Sequence, residues 1–167
     1  MKYTSAEAAK LLKALGEQHD MLVSLESRSS TFVAALSEDV ESVRPDYDYE
    51  KTKLELDAIE GKMRKVKHAI NVFNTTHRLP GFDLTIDEAL VYMPQLSERK
   101  RRLCGMASVL PKVRERSMGQ SNIIDYRYTN YDPATAQVDM TAAGDQLARL
   151  QNALDIVNTT ETMEIEL

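Results

Sequence analysis

The chain has 167 residues, and its 26 acidic and 21 basic side chains give a formal net charge of −5. A chain of this length can bury a full hydrophobic core, so we expect a single domain over residues 1–167 that needs no disulfide or metal. Its one cysteine, Cys104, excludes an internal disulfide and a paired-cysteine zinc site. The acidic balance disfavours nucleic-acid binding, because affinity for phosphate comes from clustered lysine and arginine.

The chain contains neither the apolar core of a secretory signal at its start nor a run of about 18 apolar residues elsewhere. We therefore expect a cytoplasmic protein that does not bind membranes.

The first predicted helix opens with a capping box, Thr4-x-x-Glu7, in which the threonine hydroxyl and the glutamate carboxylate satisfy free backbone N–H groups. A stripe of apolar residues at steps of three and four follows, formed by Ala8, Leu12, Leu15, Leu22 and Leu25. His19 interrupts this stripe. A single polar residue in a helical seam often sets register or oligomeric state, so we expect His19 to be buried for that purpose.

The second predicted helix follows an acidic segment, residues 37–50, and begins near Asp48. It carries a heptad stripe of Leu56, Ile59, Met63, Val66, Ile70 and Phe73. Asn74-Thr75-Thr76 comes next. Asparagine tolerates the left-handed conformation that closes a helix and threonine favours extended chain, so this motif predicts a helix stop leading into a strand.

The next segment, HRLPGFDLT, is a strand candidate in which Pro80-Gly81 suits the centre of a type II turn. A second capping box, Thr85-x-x-Glu88, predicts the start of the third helix. Pro94 lies inside this helical pattern and should bend it, because proline removes a backbone hydrogen bond.

The connection at 111–137 contains Ile124, Tyr126 and Tyr128 in alternation with polar residues, which predicts a half-buried strand. The last helix can begin after Asp132-Pro133 or after Asp139, and the pattern does not decide between them. A final strand candidate, TMEIEL, places Met163, Ile165 and Leu167 on one side. A small sheet at one end of the helices would collect these strands.

The two halves of the chain match each other. Adding 84 to the stripe of the second helix gives Met140, Ala143, Leu147, Leu150, Leu154 and Val157, followed again by Asn-Thr-Thr. Adding 81 to the stripe of the first helix gives Ala89, Met93, Leu96, Leu103 and Met106, with Lys100 in the place of His19. We predict a mainly α fold, an antiparallel four-helix arrangement of two duplicated helical hairpins, about 4–75 and 85–158, with a small β element at one end.

Few residues suggest chemistry. The Glu-x-x-His pairs of a di-metal bundle are absent from the sequence, and so are the glycine-rich and nucleophile motifs of common enzymes. We therefore predict no catalytic residues, no metal site and no cofactor. The candidates for binding are the polar positions His19 and Lys100 in the helical stripes, and Tyr126, Arg127 and Tyr128, where aromatic rings alternate with a cation.

The order of these elements, and above all NTTHRLPGFDLTIDEAL at 74–90 and the second Asn-Thr-Thr, resembles the septicolysin-like family of small bacterial proteins over nearly the full length. The chain departs from the family pattern at Pro80-Gly81, where the family has Asp-Gly, and at Pro94. The resemblance implies a helical fold and self-association, and it brings no catalytic residues.

We therefore expect an oligomeric interaction or scaffold protein built from copies of this chain. The alternative is a small-ligand or nucleotide-binding enzyme with a site between subunits. The family name implies a cytolysin, but a pore-former needs secretion and a membrane segment, and the chain has no tryptophan to anchor at a membrane interface.

Overall fold

The structure is a computed structural model that describes residues 1–115 and 124–167. Within these ranges it is mainly helical, as predicted. The elements in chain order are β1 (Lys2–Thr4), α1 (Ser5–Ser29), α2 (Val40–Val43), α3 (Tyr49–Thr76), α4 (Ile86–Ala107), β2 (Lys112–Arg114), β3 (Tyr126–Tyr128), α5 (Pro133–Thr160) and β4 (Thr162–Glu164).

The chain divides into two compact units, which are described separately. The first contains Met1–Thr76 and Ile156–Leu167, and the second contains His77–Asp155. The expected single domain stays a prediction.

In the first unit, α1 packs against α3. His19 of α1 lies beside Glu60 of α3, and Glu26 bonds to Tyr47 just before α3. Because a later residue of α1 meets an earlier residue of the second segment, the two helices run antiparallel. The connection between them contains α2, a single turn that the sequence pattern did not predict.

Helix α1 begins with the predicted capping box. Glu7 donates its backbone N–H to the Thr4 hydroxyl at 3.2 Å, and Thr4 donates its own to the Glu7 carboxylate at 2.8 Å. Helix α4 begins in the same way, with distances of 3.2 Å and 2.7 Å between Thr85 and Glu88. Both predicted helix starts are confirmed.

Both helices end at the last residue of their Asn-Thr-Thr motif, Thr76 and Thr160, so the predicted helix stops are confirmed, and the second leads into β4 as predicted. The Thr76 hydroxyl donates to the Val72 carbonyl at 2.7 Å, and the Thr160 hydroxyl donates to the Ile156 carbonyl at 2.8 Å. This bond to the preceding turn accommodates threonine in helical backbone.

In the second unit, the segment between α3 and α4 forms a tight turn. Phe82 donates its N–H to the Leu79 carbonyl, and Gly81 has a φ of 79°, which fits the predicted type II turn. The predicted strand is reduced to one antiparallel bridge between Arg78 and Thr85.

Helix α4 continues through Pro94. Helix α5 begins at Pro133, which decides between the two predicted starts. The Asp132 carboxylate accepts the Ala134 N–H at 2.9 Å and caps this end. The preceding Tyr131 hydroxyl donates to the Met106 carbonyl of α4 at 3.0 Å.

The strands form two separate antiparallel pairs instead of one small sheet. In the first unit β1 pairs with β4, so that Thr4 lies opposite Thr162. In the second unit β2 pairs with β3, so that Lys112 lies opposite Tyr128. Strand β3 is exposed throughout, so the prediction that it is half-buried was wrong.

The buried side chains follow the predicted stripes. Ala8 and Leu15 of α1 are buried, as are Ala89 and Leu96 of α4. The long stripes of α3 and α5 are also buried in part, through Val66, Phe73, Ala143, Leu150, Leu154 and Val157. Of the C-terminal segment, Met163 and Ile165 are buried, whereas Leu167 is exposed.

Candidate functional site

His19 lies on the half-buried side of α1. Its Nε2 is 3.4 Å from the Glu60 carboxylate of α3, and its Nδ1 is 3.5 Å from the carboxylate of the adjacent Asp20. The His19 side chain keeps 28% of its surface exposed, and that of Glu60 keeps 48%. The imidazole is thus a partly solvated polar contact between two helices, and it lines a depression together with Glu60. It is less buried than predicted.

Lys100, the predicted counterpart of His19, is exposed on α4. Its Cε and Nζ atoms lie 3.5 Å from the position that a Cβ on Gly144 would occupy. The lysine chain therefore lies across the surface of α5 at its glycine, which is packing by its aliphatic part. His19 belongs to the first unit and Lys100 to the second.

Tyr126 and Tyr128 form a small aromatic surface on β3. Their ring centroids are 6.5 Å apart, and the ammonium of Lys112 lies 4.1 Å from the first centroid and 5.4 Å from the second. Cations are attracted to ring faces at such distances. Both rings are exposed, at 46% and 63%. We call Lys112, Tyr126 and Tyr128 the tyrosine face.

Arg127 does not join the tyrosine face, because successive residues of a strand point to opposite sides. Its guanidinium bonds instead to the Glu115 carboxylate at 2.6 Å. The sequence prediction grouped Arg127 with the two tyrosines and missed Lys112. The sequence did contain a signal for Lys112. Polar and apolar residues alternate in Lys112-Val113-Arg114, as in a short strand, and these residues form β2, which pairs with β3.

A second surface, which the sequence interpretation missed, lies between α4 and α5 within the second unit. Its depression, with a volume of about 320 Å³, is lined by Arg99, Arg102, Leu103, Asp139, Ala142, Ala143 and Gln146. Arg99 and Arg102 also line an adjoining depression with Pro94, Gln95 and Glu98. Their spacing of three residues places both guanidinium groups on one side of α4. We call this pair the arginine face.

The arginines of the ERKRR run at 98–102 differ in their ion pairing. Arg101 pairs with Glu98 of its own helix. Arg99 and Arg102 make no ion pair with any residue in the described ranges, and both are exposed. Their charges are available to an anionic group from outside the unit.

One perturbed carboxyl group, Glu41, has its pKa lowered by its bonds to Arg44, and three others belong to helix ends. Hydrogen bonds from the Thr4 backbone and hydroxyl lower the pKa of Glu7, and those from Thr85 lower the pKa of Glu88. The Ala134 backbone N–H, followed by the Thr135 hydroxyl, lowers the pKa of Asp132. These shifts indicate structural roles for the three carboxylates, because each is explained by a capping contact.

A cluster of three or more histidine, cysteine or carboxylate side chains able to hold a metal is not found in residues 1–115 and 124–167. Among the helices of these ranges, none has a stretch long and apolar enough to cross a membrane.

A scan against protein-family models found no match for this chain, and a search of curated proteins also found none. Among solved structures, the chain is similar to the crystal structure of a functionally unknown conserved protein from Corynebacterium diphtheriae. The two share 14% sequence identity with a TM-score of 0.59, and the match covers 98% of this chain and 100% of that one. At this identity the similarity is evidence of a shared fold alone.

Proposed function

We propose that the protein is a cytoplasmic, self-associating interaction protein without catalysis of its own. The observation that carries this proposal is the exposure of large apolar side chains in the connection between α1 and α3. Val33 is 93% exposed and Leu36 is fully exposed. Removing such a side chain fully from water is favourable by about 1.5–3 kcal/mol before the entropic cost of association is counted, so a second protein surface is favoured there.

The proposal includes an antiparallel four-helix arrangement of two duplicated hairpins. A recurrent strand pairing supports it: Thr4 lies opposite Thr162, and Arg78 lies opposite Thr85. Adding 81 to position 4 gives position 85, and subtracting 84 from position 162 gives position 78, so the two pairs occupy corresponding positions of the two halves. These are the same offsets that relate the helical stripes in the sequence.

Two further contacts recur at the offset of 84. The hydroxyls of Thr76 and Thr160 bond to the carbonyl four residues earlier at nearly equal distances. An aspartate carboxylate caps each of the later helices, Asp48 before α3 and Asp132 before α5, although the N–H that it accepts is three residues on in the first case and two residues on in the second. Shared polar contacts support duplication better than shared apolar spacing does, because any two heptad stripes can be aligned with each other at some offset.

Membership of the septicolysin-like family is also part of this proposal. It rests on the motifs around 74–90 and on the repeated Asn-Thr-Thr, and it agrees with a helical fold that self-associates. It supplies no catalytic residue. The cytolytic activity in the family name has no support among the described helices, none of which is long and apolar enough to span a membrane.

The tyrosine face favours a second candidate function, the binding of a small planar anion such as a nucleotide. Two exposed rings can stack on a base while Lys112 attracts a phosphate. Titration of a nucleoside triphosphate, followed by tyrosine fluorescence, tests this candidate. Saturable quenching that is lost or weakened in a Lys112→Ala variant, which keeps both tyrosines as reporters, would support it, and unchanged wild-type fluorescence would exclude it.

The leading proposal is tested by light scattering coupled to size-exclusion chromatography. We expect the wild-type chain to elute as a discrete oligomer and a Val33→Ser/Leu36→Ser variant to dissociate on dilution. Leu54→Ser is the control, because Leu54 is also exposed, at 66%, but lies on α3 outside the connection. A monomeric wild-type protein at every concentration would refute self-association.

A further inference from the structure

The connection between α1 and α3, residues 30–48, combines exposed apolar side chains with negative charge. We call it the acidic loop. It contains five carboxylates and one arginine, a net charge of −4 that is most of the net charge of the whole chain. Val33, Leu36 and Val40 are all exposed in it.

The acidic loop is held in shape by its own polar contacts. The Glu38 carboxylate accepts the Ala35 N–H at 2.8 Å, and the Asp39 carboxylate accepts the Glu41 N–H at 3.3 Å to begin α2. Tyr47 anchors the far end to Glu26. A segment that is ordered by such contacts loses less entropy on docking than a disordered one.

The arginine face has the complementary character. Arg99 and Arg102 carry two positive charges that no described residue pairs with, and they lie between two depressions. Leu103, Ala142 and Ala143 supply apolar lining to one depression, and Pro94 supplies it to the other. One carboxylate also lines each depression, Asp139 in the first and Glu98 in the second, but Glu98 is paired with Arg101, so the surface keeps a net positive charge. An acidic segment with apolar side chains fits both the charge and the lining of this surface.

We propose that the acidic loop of one copy of this chain docks on the arginine face of a second copy. This inference rests on the proposed self-association and specifies its interface. One chain carries both surfaces, so a reciprocal exchange closes a two-fold dimer with two equal contacts, and a one-way exchange continues into a larger assembly.

A charge-swap experiment tests the pairing. One variant, Arg99→Glu/Arg102→Glu, reverses the arginine face. The other, Asp46→Lys, reverses a charge of the acidic loop but spares Glu38 and Asp39, whose carboxylates bond to the loop backbone, and Glu41, whose carboxylate pairs with Arg44. Circular dichroism of each variant establishes that it is folded before its mass is measured.

Each variant alone should associate at least about tenfold more weakly than the wild type, because like charges then face each other. An equimolar mixture should regain association as a one-to-one complex, since each variant retains the surface that the other lacks. Lys10→Glu/Lys13→Glu is the matched control, with the same charge change and spacing on α1, and it should associate as the wild type does.

The outcomes separate the two claims. A monomeric wild type would refute the proposed function itself. An oligomeric wild type whose mass is unchanged in the arginine variant would leave self-association in place and overturn this interface. Two weakened variants whose mixture does not recover would also overturn the pairing, because the two surfaces would then act on different partners.

Discussion

The Tyr47 hydroxyl donates a hydrogen bond of 2.9 Å to the Glu26 carboxylate and so ties the start of α3 to the end of α1. Partial removal of the phenol from water, and then the bond to Glu26, raise the pKa of Tyr47. In the second unit, Tyr131 bonds to the Met106 carbonyl of α4 from the corresponding place before α5. Each tyrosine fixes the base of a hairpin connection.

Tyr47→Phe and Tyr131→Phe should each lower the free energy of unfolding by about 1 kcal/mol, because each removes one interhelical hydrogen bond. Urea denaturation followed by circular dichroism measures the loss. Tyr128→Phe is the control, since its ring is 63% exposed on β3. This variant should change the free energy of unfolding by only about a few tenths of 1 kcal/mol. Equal stability of all three variants would contradict the assigned role.

The two capping boxes should contribute equally. Thr4→Ala and Thr85→Ala should each cost about 1 kcal/mol, because the helix loses the acceptor for one backbone N–H. Serine at either position keeps the hydroxyl and should retain most of the stability. A loss at only one site would show that the two helix starts differ in energy despite their matching geometry.

Glu7 and Glu88 should contribute to acid sensitivity. Their pKa values are lower in the folded chain than the ordinary value of 4.5, since the charged carboxylates accept hydrogen bonds from threonine. Their stabilisation is therefore complete above that value and is lost as pH falls through the lower folded pKa. Thermal melts of Glu7→Gln/Glu88→Gln should show a shallower loss of stability at acid pH than the wild type. Parallel acid profiles would contradict this assignment.

Two glycines should respond in opposite directions to alanine. Gly144 lies inside α5, and an added Cβ would meet only the Lys100 side chain at ordinary contact distance, so Gly144→Ala should stabilise the chain by up to about 1 kcal/mol. Gly81 has a φ of 79°, and Gly81→Ala should destabilise it by about 1 kcal/mol or more. Differential scanning calorimetry compares the two. A lower melting temperature for Gly144→Ala would contradict the finding that a Cβ fits beside Lys100 at this position.

Sequence reasoning succeeded where structure depends on local chemistry. The capping boxes at Thr4 and Thr85 and the turn at Pro80-Gly81 follow from residues within one turn of each other. The helix stop at Asn74-Thr75-Thr76 was also predicted correctly, but the bond from the Thr76 hydroxyl to the preceding turn was not.

The candidate site was predicted less well, because it depends on partners distant in sequence. Tyr126 and Tyr128 were identified from alternation, but Lys112 comes from a strand whose pairing is not written in local spacing. Arg99 and Arg102 are not among the binding candidates that the sequence suggests. Their common surface became evident only once α5 was placed beside α4.

Native mass spectrometry of gently purified protein tests the central claim of self-association most directly. The account predicts a discrete oligomer whose mass is a whole multiple of the chain, and its dissociation in the Arg99→Glu/Arg102→Glu variant. A bare monomer at all concentrations would contradict the account.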